Sequence, residues 1–139
     1  MSSDAFVARY GPWAVVAGAA VGLGAEYARE IAARGVSVVM VDRDAEPLEA
    51  TAREIRTAHP AVEIRTFVLD LARADVDAAV VAATSGLDVG LLVYNAAIGT
   101  VSPFLQISKA NMQAMLDVNC RGPLFLAHAL APAMVERKR

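Results

Sequence analysis

Four short apolar runs alternate along this chain with longer stretches in which apolar positions return every three or four residues. The first run, residues 12–17, is β-branched at its centre and lies between Gly11 and Gly18, which predicts a strand buried on both faces. Over residues 25–34, Tyr27, Ile31 and the small alanines share one side and Glu26, Arg29, Glu30 and Arg34 mostly the other. That pattern predicts a helix, ended by Gly35. Residues 36–41 predict a second buried strand. Asp44 is placed to cap the next helix, with Glu46 and Pro47 in its first turn and Leu48, Ala52 and Ile55 at helical spacing until His59-Pro60 stops it. A third strand over 62–69, an alanine-rich helix over 72–84 ended by Ser85-Gly86, a fourth strand over 89–94 and a long helix from Ser108 toward Arg139 complete the pattern.

Strands separated by helices of about ten to fifteen residues need crossover connections, and these are right-handed and place helices on both faces of a parallel sheet. The expected fold is α/β: a three-layer, doubly wound, Rossmann-type parallel sheet, cut short after its fourth strand and the helix that follows. No linker, repeat or low-complexity segment divides residues 1–139, so one domain is expected.

Composition narrows the function classes. At 56% apolar residues the chain has a core to bury, and 15 acidic against 13 basic residues leave no electrostatic footprint for nucleic acid or an anionic membrane. The one cysteine, Cys120, excludes an internal disulfide, and without a Cys/His cluster no metal site is expected. Residues 1–11 carry no targeting pattern and no apolar stretch reaches the length of a membrane span. A cytoplasmic protein with a small-molecule partner is the expectation. The basic end, Arg137-Lys-Arg139, complements the dipole of a helix C-terminus.

The chemistry centres on Ala17-Gly-Ala-Ala-Val-Gly-Leu-Gly24, a Gly-x-x-x-Gly-x-Gly arrangement between the first strand and the first helix. A pyrophosphate needs backbone N–H groups at a helix N-terminus and no side chain where the backbone approaches it. Gly18 then makes the tight turn, Gly22 permits close approach and Gly24 lets helix and strand pack; Ala20, Val21 and Leu23 of the same turn join them as cofactor-binding positions. Asp42 closes the second strand 18 residues after Gly24, where a carboxylate can accept both ribose hydroxyls. Fingerprint, strand, helix and acid in this order predict a dinucleotide site.

The segment from Ala17 to Gly24 resembles the Thr-Gly-x-x-x-Gly-x-Gly fingerprint of the short-chain dehydrogenases/reductases. Three further segments agree in order and spacing, and the resemblance runs from Tyr10 to the end. Asp70-Leu71 looks like that family's adenine contact, Tyr94-Asn-Ala-Ala97 is similar to its Asn-Asn-Ala-Gly turn and places Asn95 and Ala96 at the cofactor, and Asp117-Val-Asn119 matches the segment that holds its catalytic asparagine. Ala17 stands where the family usually has threonine, Tyr94 where it has asparagine and Ala97 where it has glycine. The resemblance implies hydride transfer between nicotinamide and an alcohol or carbonyl, with a tyrosine moving the proton, a lysine lowering its pKa, a serine polarising the substrate oxygen and the asparagine completing a water relay. Of these four, Asn119 alone is expected here. Tyr10, Tyr27 and Tyr94 are followed four residues later by Ala14, Ile31 and Ile98, never by lysine. The chain is therefore read as the N-terminal half of such an enzyme, inactive by itself.

Pro123 lacks the N–H that would bond four residues back, to Asn119, so a carbonyl free to hold a relay water is expected at Asn119. His128, nine residues on, points to the opposite side of the helix; His59 lies in a loop, and Cys120 is expected to be a buried small residue. Two other classes stay open: a non-catalytic dinucleotide-binding or partner module, and a methyltransferase fragment that binds S-adenosylmethionine. Asp42 and the neutral Val21 favour NAD over NADP, while Arg43 opposes them. The apolar last helix and an open edge at the fourth strand lead to the expectation of self-association.

Overall fold

A computed structural model of the chain describes residues 1–138; Arg139, at the end of the expected basic tail, lies outside the described residues. The elements follow in the order α1 (Ser3–Tyr10), β1 (Trp13–Ala17), α2 (Gly22–Ala33), β2 (Ser37–Asp42), α3 (Ala45–Ala58), β3 (Ile64–Val68), α4 (Val76–Ala83), β4 (Val89–Tyr94), α5 (Lys109–Leu116), a π turn (Asp117–Arg121) and α6 (Gly122–Glu136). The four strands form one parallel sheet in the order β3-β2-β1-β4. Side chains alternate across β1 and β2. Ala14, Val16, Val38 and Met40 enter one core with Ala28 and Ile31 of α2 and Leu48, Ala52 and Ile55 of α3. Val15, Ala17, Val39 and Val41 enter the other with Val76 and Val80 of α4 and Leu126 and Leu130 of α6. These are the three layers and two covered faces expected of apolar strands without alternation.

Several local expectations need correction. Residues 1–11, to which the apolar pattern assigns no element, contain helix α1: the Ser2 hydroxyl accepts from the Ala5 amide at 3.3 Å, and Phe6 and Val7 pack against the core. Its end is seated at Gly90, where a Cβ would lie 2.6 Å from the Tyr10 carbonyl oxygen. Helix α2 starts at Gly22, three residues before the expected start at Ala25, because its first turn is the glycine segment itself. Tyr27 is not on the buried side but 49% exposed. Asp44 sits at the N-cap of α3 without capping it by its side chain; its own N–H is instead accepted by Asp42 Oδ1 at 3.2 Å. Helix α4 is shorter than the alanine-rich stretch suggests.

The long last helix does begin at Ser108, whose hydroxyl accepts from the Asn111 amide at 3.1 Å, but the π turn divides it. Beyond that turn its burial is one-sided. Val118, Gly122, Leu126 and Leu130, four residues apart, are buried, whereas Leu116, Leu124, Phe125 and Ala127 face outward, so this apolar helix is buried on one side only. Arg137 does more than complement a dipole: it pairs with Asp88 and donates to the Val89 carbonyl, fastening the end of α6 to the start of β4.

Candidate cofactor-binding site

The turn after β1 rests on the C-terminal ends of three strands. The amides of Gly18 and Ala19 donate to the Val41 carbonyl at 2.8 and 3.2 Å, and those of Asn95 and Ala96 donate to the Ala17 carbonyl at 2.9 and 3.0 Å. The connection from β1 leads to β2 on one side, and the connection from β3 crosses over to β4 on the other, which opens a crevice outside the strand ends at β1. A cleft of about 280 Å³ occupies it, lined by Gly18, Val21, Asp42, Arg43, Asp44, Leu69, Asp70, Leu71, Asn95, Ala96, Ala97, Ile98 and Val118. Eight of the expected cofactor positions thus share one cavity. Gly22, Leu23 and Gly24 flank it in the first turn of α2, and Ala20 is buried behind it.

The three glycines have distinct reasons to be glycine. Gly18 has φ +79°, and a Cβ there would lie 2.6 Å from the Ala96 amide nitrogen. A Cβ on Gly24 would overlap the Gly18 carbonyl oxygen, so this glycine packs helix against turn. Gly22 has φ +61° with nothing within 4 Å of its would-be Cβ, so its bare face is open. Val21, at the N-cap of α2, makes no side-chain capping bond. The amides of that first turn have no partner inside the helix and are oriented for an anion.

Behind the turn, one peptide is held from two sides. The Asp42 carboxylate accepts the Ala20 N–H at 3.0 Å, and the buried Thr51 hydroxyl of α3 donates to the Ala20 carbonyl at 2.8 Å. Sequence reasoning missed Thr51; the available signal was a hydroxyl on the buried face of α3, next to Ala52 and between Leu48 and Ile55. Asp42 thus fixes the turn as well as facing the cleft. Arg43 is exposed and only loosely paired, 3.9 Å from Asp44. Asp70 accepts the Ala72 amide at 2.9 Å beside the buried Leu71.

The far wall is built from β4 and the π turn. Asn95 reaches back to the Gly18 carbonyl at 3.4 Å. Asn119 does not line the cleft, and its exposed side chain clamps the loop that does. Its Oδ1 accepts the Ile98 N–H at 2.9 Å and its Nδ2 donates to the Ile98 carbonyl at 2.8 Å. The effect of Pro123 also falls elsewhere than expected. Gly122 donates to Asp117, five residues back, and in that wider register the proline's missing partner is Val118 rather than Asn119. The Val118 carbonyl instead accepts the Tyr94 hydroxyl at 2.6 Å, and burial pushes that phenol's pKa up to about 12. Cys120 is exposed rather than buried, since the π turn carries it off the packed stripe. His128 is exposed on α6, away from the cleft.

Comparison with known proteins agrees with this geometry. The family model described as "short chain dehydrogenase" matches residues 12–139. The chain is 32% identical over 133 residues to a very-long-chain 3-oxoacyl-CoA reductase of Neurospora crassa, covering 93% of this chain and 40% of that protein. Its structure is similar to that of a 7beta-hydroxysteroid dehydrogenase, with a TM-score of 0.92 and 31% identity over 100% of this chain and 54% of the other. It is also similar to a metagenomic short-chain oxidoreductase in complex with NADP, with a TM-score of 0.80 and 38% identity over 94% and 59% of the two chains. The chain spans about 40% of the length of the curated relatives it matches. Among the described residues no helix is long and apolar enough to cross a membrane. The glycine turn, the acid that ends β2 and the asparagine of the π turn thus sit in a fold and a sequence that match one family over most of their length: the chain belongs to the short-chain dehydrogenases.

Proposed function

We propose that this chain binds a nicotinamide dinucleotide across the cleft, as the cofactor-binding part of an oxidoreductase that interconverts an alcohol and a carbonyl. The observation that carries this reading is the first turn of α2, uncapped by any side chain and opening at the bare face of Gly22, beside a cleft whose wall holds Asp42. A diphosphate fits that turn, since its backbone amides supply donors and no side chain blocks the approach. Asp42 would hold the adenosine ribose, Asp70 and Leu71 the adenine, and Asn95, Ala96 and Ile98 the wall nearer the nicotinamide. The bound dinucleotide would supply the hydride chemistry; the protein's part is to hold and orient it. Within these residues no tyrosine is followed four positions on by lysine, so the chain by itself is proposed to bind without turning over.

NAD is the proposed preference. A 2'-phosphate would meet the Asp42 carboxylate, and at about 4 Å with an effective dielectric of about 20 each pair of unit charges costs roughly 4 kcal/mol. Arg43 pulls the other way, but it is exposed, and solvent screening holds its attraction to about 1 kcal/mol. Several of the similar structures are complexed with NADP or NADPH, so the similarity leans away from NAD and the proposed preference rests on Asp42 alone. Calorimetry with NAD, NADP and S-adenosylmethionine side by side tests the proposal. NAD binding most tightly, with Asp42→Ala narrowing the gap to NADP, supports it. Equal or tighter NADP binding removes the preference, and binding of S-adenosylmethionine alone removes the dinucleotide reading.

A further inference from the structure

We infer that Tyr94 is a positioning residue, whose hydroxyl holds the π turn in register and thereby sets Asn119 against the cleft wall at Ile98. Its consequence for the cofactor rests on the dinucleotide reading, while its consequence for the protein does not. Tyr94 ends β4, at a position where the family pattern has asparagine, and its hydroxyl reaches the Val118 carbonyl at 2.6 Å. In the wider turn Gly122 donates to Asp117, and the next amide along would be that of Pro123, which has none. Val118 is buried, so without the phenol its carbonyl would lose the donor that replaces the missing amide, which a buried acceptor does not tolerate cheaply.

The ring fits only because residue 122 is glycine: a Cβ there would overlap the Tyr94 hydroxyl oxygen and lie 2.9 Å from the ring carbon that bears it. Tyr94 and Gly122 therefore form a matched pair at the turn. The residue after Val118 is Asn119, whose amide holds both the N–H and the carbonyl of Ile98. Successive helical residues are about 100° apart, so relief of the π turn into ordinary helix would swing Asn119 away from that peptide. Burial raises the phenol's pKa, which extends the range over which it stays a donor into alkaline pH.

Amide exchange and nucleotide binding in Tyr94→Phe, Asn119→Ala and the double variant test this. In Tyr94→Phe, which keeps the ring, exchange at Ile98 should rise roughly tenfold, while Ala96, whose amide is held independently by Ala17, should stay within about twofold. NADH should bind roughly fivefold more weakly, with AMP unaffected because it does not reach that wall. The double variant should match Asn119→Ala at Ile98 and toward NADH, since one residue acts through the other. Unchanged exchange at Ile98, an equal rise at Ala96, or independent addition of the two substitutions would overturn the inference. If the unsubstituted protein binds no NADH, the dinucleotide reading fails by itself and the exchange data still decide the role of Tyr94.

Discussion

The three glycines of the turn look alike in the sequence but answer to different neighbours. Replacing Gly22 by alanine puts a side chain into open space at φ +61°, a backbone cost of about 1–2 kcal/mol. Gly24→Ala must displace the Gly18 carbonyl, and overpacking of that kind costs about 1–3 kcal/mol or more. Thermal unfolding paired with NAD calorimetry should therefore separate them: Gly22→Ala folds and loses binding out of proportion to its stability, while Gly24→Ala loses both together. A Gly22→Ala protein that binds NAD like the parent would show that its bare face is not where the ligand approaches. Thr51→Val makes a parallel case behind the turn. It leaves the Ala20 carbonyl without the donor at 2.8 Å, and the expected destabilisation is about 1–3 kcal/mol.

At the scale of elements, apolar stripes predict what each helix buries, and α6 offers a direct comparison. Leu126 is fully buried against the second core and Leu124 is 68% exposed. Leu126→Ala should cost about 2–5 kcal/mol, whereas Leu124→Ala should stay within about 0.5 kcal/mol; equal losses in chemical denaturation would contradict the observed register. All four strands and the glycine turn were legible, the strands as short apolar runs, and these report burial directly in β1 and β2, whereas β3 leaves Arg65 and Val68 exposed. What was not legible depends on contacts between distant residues. Helix α1 has only Phe6 and Val7 as anchors, and neither is fully buried, so no periodic stripe announces it. The π turn depends on Tyr94 crossing from β4 to Val118, 24 residues away, and that shift of register moved the proline's effect off Asn119 and exposed Cys120. Asp44 stands at the N-cap without a side-chain capping bond, and the amide three residues on, which such a cap accepts, is absent because that residue is Pro47. The phenol at this crossing has a testable pH signature. Its pKa is raised in the folded state to about 12, so between the unfolded value near 10 and that value only the folded protein keeps the proton. Stability should be retained below about pH 10 and lost as pH rises toward 12, and Tyr94→Phe should flatten that part of the alkaline unfolding curve.

For the molecule as a whole, the same architecture that forms the cleft leaves two surfaces open. Among the described residues β4 pairs with a strand on one side only, with β1, so its other edge is open to strand pairing beyond Val89, whose carbonyl Arg137 holds. Leu116, Leu124 and Phe125 expose apolar area from α5 and α6. Exposed apolar area and an unpaired strand edge each favour association. Association of this chain is accordingly the expected outcome of light scattering at micromolar concentration. Replacing Leu124 and Phe125 together by lysine removes apolar area without touching the buried stripe of Val118, Gly122, Leu126 and Leu130, so the folded signal should persist while the scattering mass falls. A monomer before substitution would exclude association under these conditions. An unchanged mass after substitution would shift the contact to the β4 edge. A hydride-transfer assay on a panel of carbonyls, run on the same samples, should show no turnover above background whether or not the chain associates, because self-association adds further copies of Asn119 but no tyrosine with a lysine four residues on.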